Sequence, residues 1–375
     1  MEKHLHIISF DVPYPADYGG VVDVFYTIQA LYHAGIRIHL HCFEYGRGQQ
    51  PELEALCASV QYYPRLSGHK CVSPNLPYIV ASRSNPELLD NLLKDDYPIL
   101  AQGVHCTYLL NDPRFANRKI TVRLCNAEYT YYQHLYHATP VTSLFRKLYY
   151  RHESGRLKAY EQQIAPKVLF LALSEQDVAR YRQELQAPKI AFLPPMLPYS
   201  EVTSKDGVGC FCLYHGNLSV SENEKAAIWL LQKVFNDLKV PLVIAGKNPS
   251  AKLERVAMQH PHACLVGDPS EQEMQDMIGK AQINILPSFN NTGIKLKLLN
   301  ALFNGRHCVV NEATVQSTGL EPTCHIGNNA QAFKSLVMQL YHQPFGEEEI
   351  RLRNKLLLDS FDNKRNAQRL IQWIL

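Results

Sequence analysis

The feature that most constrains this 375-residue chain is an alternation of strand-like and helix-like segments that runs, stops and then starts again. The apolar stretch Leu5–Phe10 reads as a strand and is followed by a loop through Gly19 and Gly20. Val21, Val24, Phe25, Ile28, Leu31 and Tyr32 then recur at helical spacing. Gly35 suits the C-terminal cap of that helix, and Ile36–Phe43 is the next strand. Further strands are expected at Tyr97–Gly103, Lys119–Leu124, Lys167–Leu173 and Lys189–Pro194, with helical segments between them. Such βαβ repetition implies a parallel sheet flanked by helices.

The Pro-, Ser- and Gly-rich stretch Leu193–Gly209 breaks the pattern and reads as a linker. Strands resume at Cys210–Gly216, Val240–Gly246, Ala263–Gly267, Ala281–Ser288 and Arg306–Asn311. Helices are expected near Asn223–Phe235, Ser250–Gln259, Ser270–Gly279, Gly293–Phe303 and Gln331–Tyr341. The fold class is therefore α/β, with two tandem Rossmann-like doubly wound domains. Residues 1–195 form the first and 196–359 the second, and an amphipathic helix over about 360–375 closes the chain. Ligands of such folds collect in a cleft at the carboxyl ends of the strands.

A content of 46% hydrophobic and 19% charged residues is enough for two ordinary cores. The formal net charge of +3 makes no case for nucleic acid. Ten cysteines form no CxxC pair, and most sit in apolar runs, where they read as buried free thiols of a reducing cytoplasm. The N-terminus looks like a first strand rather than a signal peptide, and the apolar run Lys167–Ser174 is too short to span a bilayer. Neither GxGxxG nor GxxxxGK[ST] occurs, which disfavours a dinucleotide dehydrogenase and a P-loop enzyme.

The segment "FNNTGIKLKLLNALFNG", Phe289–Gly305, follows a strand and should hold a buried helix starting near Thr292 or Gly293. Its first turn carries Lys295 and Lys297, where the helix dipole already supplies positive charge and acids are preferred. An anion resting on the helix N-terminus resolves that conflict, with Gly293 allowing close backbone approach. The competing reading is that both lysines reach solvent and Gly293 merely bends the loop. Gly246 and Lys247, Gly216 and Asn217, and Gly19 and Gly20 also follow strands, as a diphosphate-binding set would.

In these residues the chain resembles the retaining glycosyltransferases of the GT-B fold, group 1 (family 4-like). The likeness rests on the Gly19–Gly20 loop, "VRLCNAEYTYYQHL", "LALSEQDVARY", "YHGNLSVSENEKAA", "VPLVIAGKNP", "CLVGDPSEQEMQDMIGKAQINILPS" and "TGIKLKLLNALFNGRHCVVN". It implies a nucleotide-diphosphate sugar as donor, a glycan or lipid-linked acceptor, no metal and no other cofactor. The amides of Gly293, Ile294, Lys295 and Leu296 would cradle the diphosphate, and Asn300 would face the ribose. Thr292 would sit by the donor sugar, Gly216 and Lys247 by the phosphates, and Val266 and Gly267 by the base. Gly19 and Gly20 would close on the diphosphate, and His105 matches a histidine near the transferring sugar. The catalytic roles would fall to His105, Lys247 and Lys295. Thr292 and Asn300 stand where that family has two glutamates, and Asn217 where it has an arginine.

Other readings stay open. His105 suits a core polar group, and Asn126 and Glu128, in "NAEYTYYQHLYH", suit either an acceptor-binding wall or an aromatic core helix. His4, His6, His39 and His41 alternate along strands and favour structure over metal binding. The segment Arg146–Glu161 is basic and aromatic, as for weak peripheral contact with the inner membrane face, or it is a solvated helix face. A catalytically silent nucleotide-sugar-binding subunit and a GT-B-type sugar-nucleotide epimerase are the alternative functions.

Overall fold

Apolar runs bounded by turn residues become the strands of two all-parallel sheets in the computed structural model, which describes residues 2–71, 73–290 and 293–375. The strands are β1 Lys3–Ser9, β2 Ile36–Glu44, β3 Ser59–Pro64, β4 Ile99–Gln102, β5 Ile120–Leu124, β6 Leu169–Ala172 and β7 Ile190–Phe192 in the first sheet. The second sheet comprises β8 Cys212–His215, β9 Leu242–Gly246, β10 Ala263–Gly267, β11 Ile283–Leu286, β12 His307–Val310 and β13 His325–Ile326. Two compact units result, Met1–Pro198 with Phe361–Leu375, and Tyr199–Ser360.

The spatial orders are β3-β2-β1-β4-β5-β6-β7 and β10-β9-β8-β11-β12-β13. In each sheet the chain winds outward to one side, then returns to the other. The loops after β1 and β4, and those after β8 and β11, therefore diverge and leave a crevice at the strand ends. The central strands β4, β5, β8, β11 and β12 are buried along their whole length, which is why they read as continuous apolar runs. Edge strand β3, with only Tyr63 buried, has no such run and was not expected from the sequence.

Within the first unit, Arg123 of β5 is fully buried and grips Asp23 through two bonds of 2.8 and 2.9 Å. The same guanidinium donates to the carbonyls of Leu193 and Pro194, each at 2.8 Å, so the exit of the chain from β7 is fixed. The helix Asn363–Ile374 buries Ala367, Leu370 and Ile374, and Asn363 exchanges two hydrogen bonds with the Leu197 backbone at 2.7 and 3.0 Å. On one face of this sheet four histidines form ladders. His4 Nδ1 lies 3.0 Å from His39 Nε2, and His6 Nδ1 lies 2.9 Å from His41 Nε2. His6 Nε2 reaches Asp95 at 2.9 Å and His41 Nδ1 reaches the Tyr63 hydroxyl at 2.9 Å.

Cys42, Cys71, Cys106, Cys212 and Cys308 are buried, and Cys210 and Cys264 are exposed. One expectation changes. The helix expected from Gly293 begins at Leu296 and runs to Asn304.

Candidate functional site

The second unit gathers its glycines and lysines where the loops after β8 and β11 part. Gly246 ends β9, and a Cβ built on it would stand 1.8 Å from the Gly216 carbonyl oxygen. Only glycine permits that approach. It lets the Gly216 amide donate to Ala245 O at 3.2 Å and the Leu218 amide to Lys247 O at 2.9 Å, so the turns after β8 and β9 are welded together. Exposed Asn217 caps its own turn, its Oδ1 accepting from the Ser219 amide at 3.0 Å. Lys247 is exposed at the end of β9. Val266 and Gly267 pair with Ala245 and Gly246 one strand further out, on the sheet edge.

Opposite these turns lies the segment after β11. Gly293 has φ +62, a left-handed conformation that delays helix entry, and Lys295 is extended at φ −90 and ψ 99 as the N-cap. The first helical bond runs from the Leu298 amide to Lys295 O at 2.9 Å, so the amides of Leu296 and Lys297 have no acceptor within the helix. Of the four residues whose amides were expected to form the cradle, Gly293, Ile294 and Lys295 precede the helix and Leu296 opens it, with Ile294 half-buried. Asn300 lies one turn in, its Oδ1 accepting from Asn304 Nδ2 at 2.8 Å. Thr292 lies outside the described residues.

Lys297 bridges the crevice. Its ammonium donates to Asn223 Oδ1 at 3.0 Å and to the Tyr214 hydroxyl at 3.2 Å, and lies 4.7 Å from the centre of the Tyr214 ring. Asn223 Nδ2 in turn donates to Asn217 O at 2.9 Å. Burial, and then the charge of Lys295, pushes the Lys297 ammonium down to about 7. His215, the last residue of β8, is 4% exposed, and among the described residues its Nε2 has no hydrogen-bond partner. Burial and the Lys297 charge push its imidazole down to about 3, so it is neutral. Tyr214, His215 and Asn223 were not singled out in the sequence. The signal was a histidine closing an apolar strand just before Gly216.

Such an arrangement favours an anion. Two first-turn amides without an acceptor in the helix, a desolvated ammonium and neighbouring lysines all present positive potential, and the backbone approaches without side chains.

In the first unit, Gly19 and Gly20 open the helix Gly19–His33 after the loop from β1, with Gly20 against the rings of Tyr18 and Phe10. His105 sits in the turn after β4, 5.3 Å from Phe10 ring to ring, and among the described residues its buried Nδ1 has no hydrogen-bond partner. Burial, then the charges of Arg83 and Arg65, push its imidazole well below the usual value. Half-buried Asn126 follows β5, and Glu128 begins the next helix. Burial pushes the Glu128 carboxyl up to about 7 against the opposing charge of Arg83. Arg83 is 3% exposed and donates from Nε to Phe10 O at 3.0 Å. It was missed in the sequence, where it follows the apolar run Tyr78–Ala81.

Residues 210–343 match the family model described as glycosyl transferases group 1. Over 385 aligned residues the chain is 27% identical to the "Uncharacterized 44.6 kDa protein in cps region" of Klebsiella pneumoniae, covering 96% of each. The crystal structure of TarM superposes with a TM-score of 0.73 at 8% identity, covering 100% of this chain and 99% of that one. UGT89C1 of Arabidopsis thaliana, complexed with UDP-L-rhamnose, superposes with a TM-score of 0.60 at 14% identity over 100% of both chains. These structural likenesses show a fold, that of the GT-B glycosyltransferases.

Proposed function

We propose that this chain is a glycosyltransferase that moves a sugar from a nucleotide-diphosphate sugar to a glycan or lipid-linked acceptor, with retention of anomeric configuration and without a metal. The observation that carries the proposal is the convergence of Lys297, the first-turn amides of Leu296 and Lys297, and the Gly216–Gly246 contact at one crevice. That crevice lies inside the segment matching the group 1 glycosyl transferases. The UDP-L-rhamnose complex of a protein of the same fold supports a nucleotide-sugar donor. The cps-region relative supports a role in polysaccharide biosynthesis.

Breaking the donor C1–O bond gives the sugar oxocarbenium character and leaves negative charge on the departing diphosphate. Amides already pointing at that charge, with Lys295, Lys297 and Lys247 beside them, stabilise it without reorganising. Each such donor is worth about 3 kcal/mol in well-studied cases. These cations take the charge-balancing role that a divalent ion has elsewhere. His105 is proposed to act at the transferring sugar, and Asn126 and Glu128 on the acceptor side.

Calorimetric titration with a panel of UDP- and GDP-sugars, followed by an assay of donor hydrolysis, tests the reading. Binding with slow hydrolysis supports transfer. Binding with an altered sugar identifies an epimerase, binding with an unchanged donor identifies a silent subunit, and no binding removes the proposal.

A further inference from the structure

The helices Glu128–Ala138 and Leu144–Ile164 pack together as a hairpin of which only the base is buried. Tyr129, Glu153, Ser154, Leu157, Tyr160, Glu161 and Ile164 lie in that base. From 130 to 152 not one residue is buried. At the tip Phe145 is 91% exposed, Val141 76%, Leu144 56%, Leu148 51% and Tyr149 41%. Single exposed apolar residues are ordinary, but five large ones at one end of one hairpin form a patch that calls for a partner.

Charge says which partner. Residues 129–152 include Arg146, Lys147 and Arg151 and no aspartate or glutamate. At about 100° per residue, Leu144, Leu148, Phe145 and Tyr149 fall in one sector of their helix, with Arg151 along one edge and Arg146 along the other. An apolar sector edged by guanidinium groups matches a phospholipid surface, where rings and aliphatic groups enter the acyl boundary and cations meet headgroup phosphates. The tyrosines Tyr132, Tyr136, Tyr149 and Tyr150 nearby suit the same interfacial depth. A second copy of the chain fits poorly, since two cationic tips would meet with no acid between them. Among the described residues no helix is long and apolar enough to cross a membrane, so the contact is peripheral.

We propose that the tip of this hairpin, from Val141 to Arg151, docks the protein on an anionic lipid bilayer. Docking is independent of the donor site and is measured with neither donor nor acceptor present, so it stands or falls apart from the glycosyl-transfer reading. The test is flotation of the full chain with phosphatidylcholine vesicles and with vesicles that also contain phosphatidylglycerol. The chain should float with the anionic vesicles at low salt and detach as salt is raised. The double substitution Phe145→Ser with Leu148→Ser should weaken binding by about tenfold or more, since it removes two large buried side chains from the lipid. Arg146→Glu with Arg151→Glu should weaken it too, and melting temperatures should stay unchanged because these side chains touch solvent. No flotation of the unaltered chain with anionic vesicles at low salt overturns the proposal. So does undiminished flotation of the Phe145→Ser, Leu148→Ser variant, or self-association through the tip without any vesicle binding.

Discussion

Lys297 Nζ donates to Asn223 Oδ1 at 3.0 Å, tying the helix after β11 to the turn after β8. Burial, and then the charge of Lys295, lowers the pKa of this ammonium to about 7. An arriving diphosphate reverses that balance and draws a proton onto the amine. Donor affinity should therefore fall as pH rises from about 7 to about 9, by up to about tenfold per pH unit. Titrations at pH 8 in buffers of different ionisation enthalpy should report proton uptake close to one per donor. Lys297→Met should lose both the pH dependence and most of the affinity. Equal affinity across that range in the unaltered chain would sink this reading of Lys297.

Gly246→Ala should be costly because its methyl group would enter the Gly216 carbonyl oxygen. The two strand ends must part, which breaks the bonds from Gly216 N and Leu218 N. A loss of about 2 kcal/mol in urea unfolding is expected, with weakened donor binding. Gly279→Ala is the control. Its Cβ meets only Asn304 O at an ordinary 3.6 Å in the helix Glu271–Lys280, so it should gain up to about 1 kcal/mol. Equal effects of the two substitutions would dissociate the glycine from its neighbour.

Much of this fold was legible in the sequence because central parallel strands are buried on both faces and read as unbroken apolar runs. The edges were not, since β3 exposes most of its side chains. The start of the Leu296–Asn304 helix was misplaced for a related reason. Apolar spacing continues through Ile294, but spacing does not report φ, and Gly293 at +62 holds the approach out of the helix. Lys295 and Lys297 were legible as residues that break a helix-start preference, and Gly216 and Gly246 as glycines that follow strands. Tyr214, Asn223 and Arg83 were not, because each acts through a tertiary contact that no spacing encodes, and His215 was not, because its burial beside the Lys297 charge comes from the fold.

Arg353 should prove essential to the same helix from its other end. It is 1% exposed, and its Nη1 donates to Leu302 O at 3.2 Å, Gly305 O at 2.5 Å and Ser204 Oγ at 3.0 Å. A guanidinium on the last carbonyls offsets the negative helix end and fixes the direction in which the first-turn amides point. Arg353→Met should cost about 3 kcal/mol in urea unfolding, because buried carbonyls lose charge-assisted donors. Arg353→Lys should recover little, lacking the planar fork. Wild-type stability in Arg353→Met would show that other groups satisfy these carbonyls.

The histidine ladders should make the first unit sensitive to acid. Burial, then the charges of His6 and His39, pushes His41 down to about 3. Burial also lowers His6, against the pull of Asp95, and lowers His39, where the charge of His4 adds to it. In the unfolded chain each imidazole titrates near 6.5, at about the value of a free histidine. Below about 6.5 these histidines therefore bind more protons in the unfolded chain than in the folded one, and the sign of the linkage makes their contribution to stability fall as pH falls. The contribution is complete above that pH. For His41 it declines by roughly 1.4 kcal/mol per pH unit down toward about 3. The share of stability that His41 supplies, read as the parent minus His41→Gln in urea unfolding, should be level between about pH 7 and 8 and drop steadily from about 6.5 to 5. Other buried histidines add to that slope, so His41→Gln isolates the ladder, lowering stability at pH 7.5 by the loss of the bonds to His6 and Tyr63 while flattening the acid limb. An acid limb as steep in His41→Gln as in the parent would mean that His41 already carries its proton in the folded sheet.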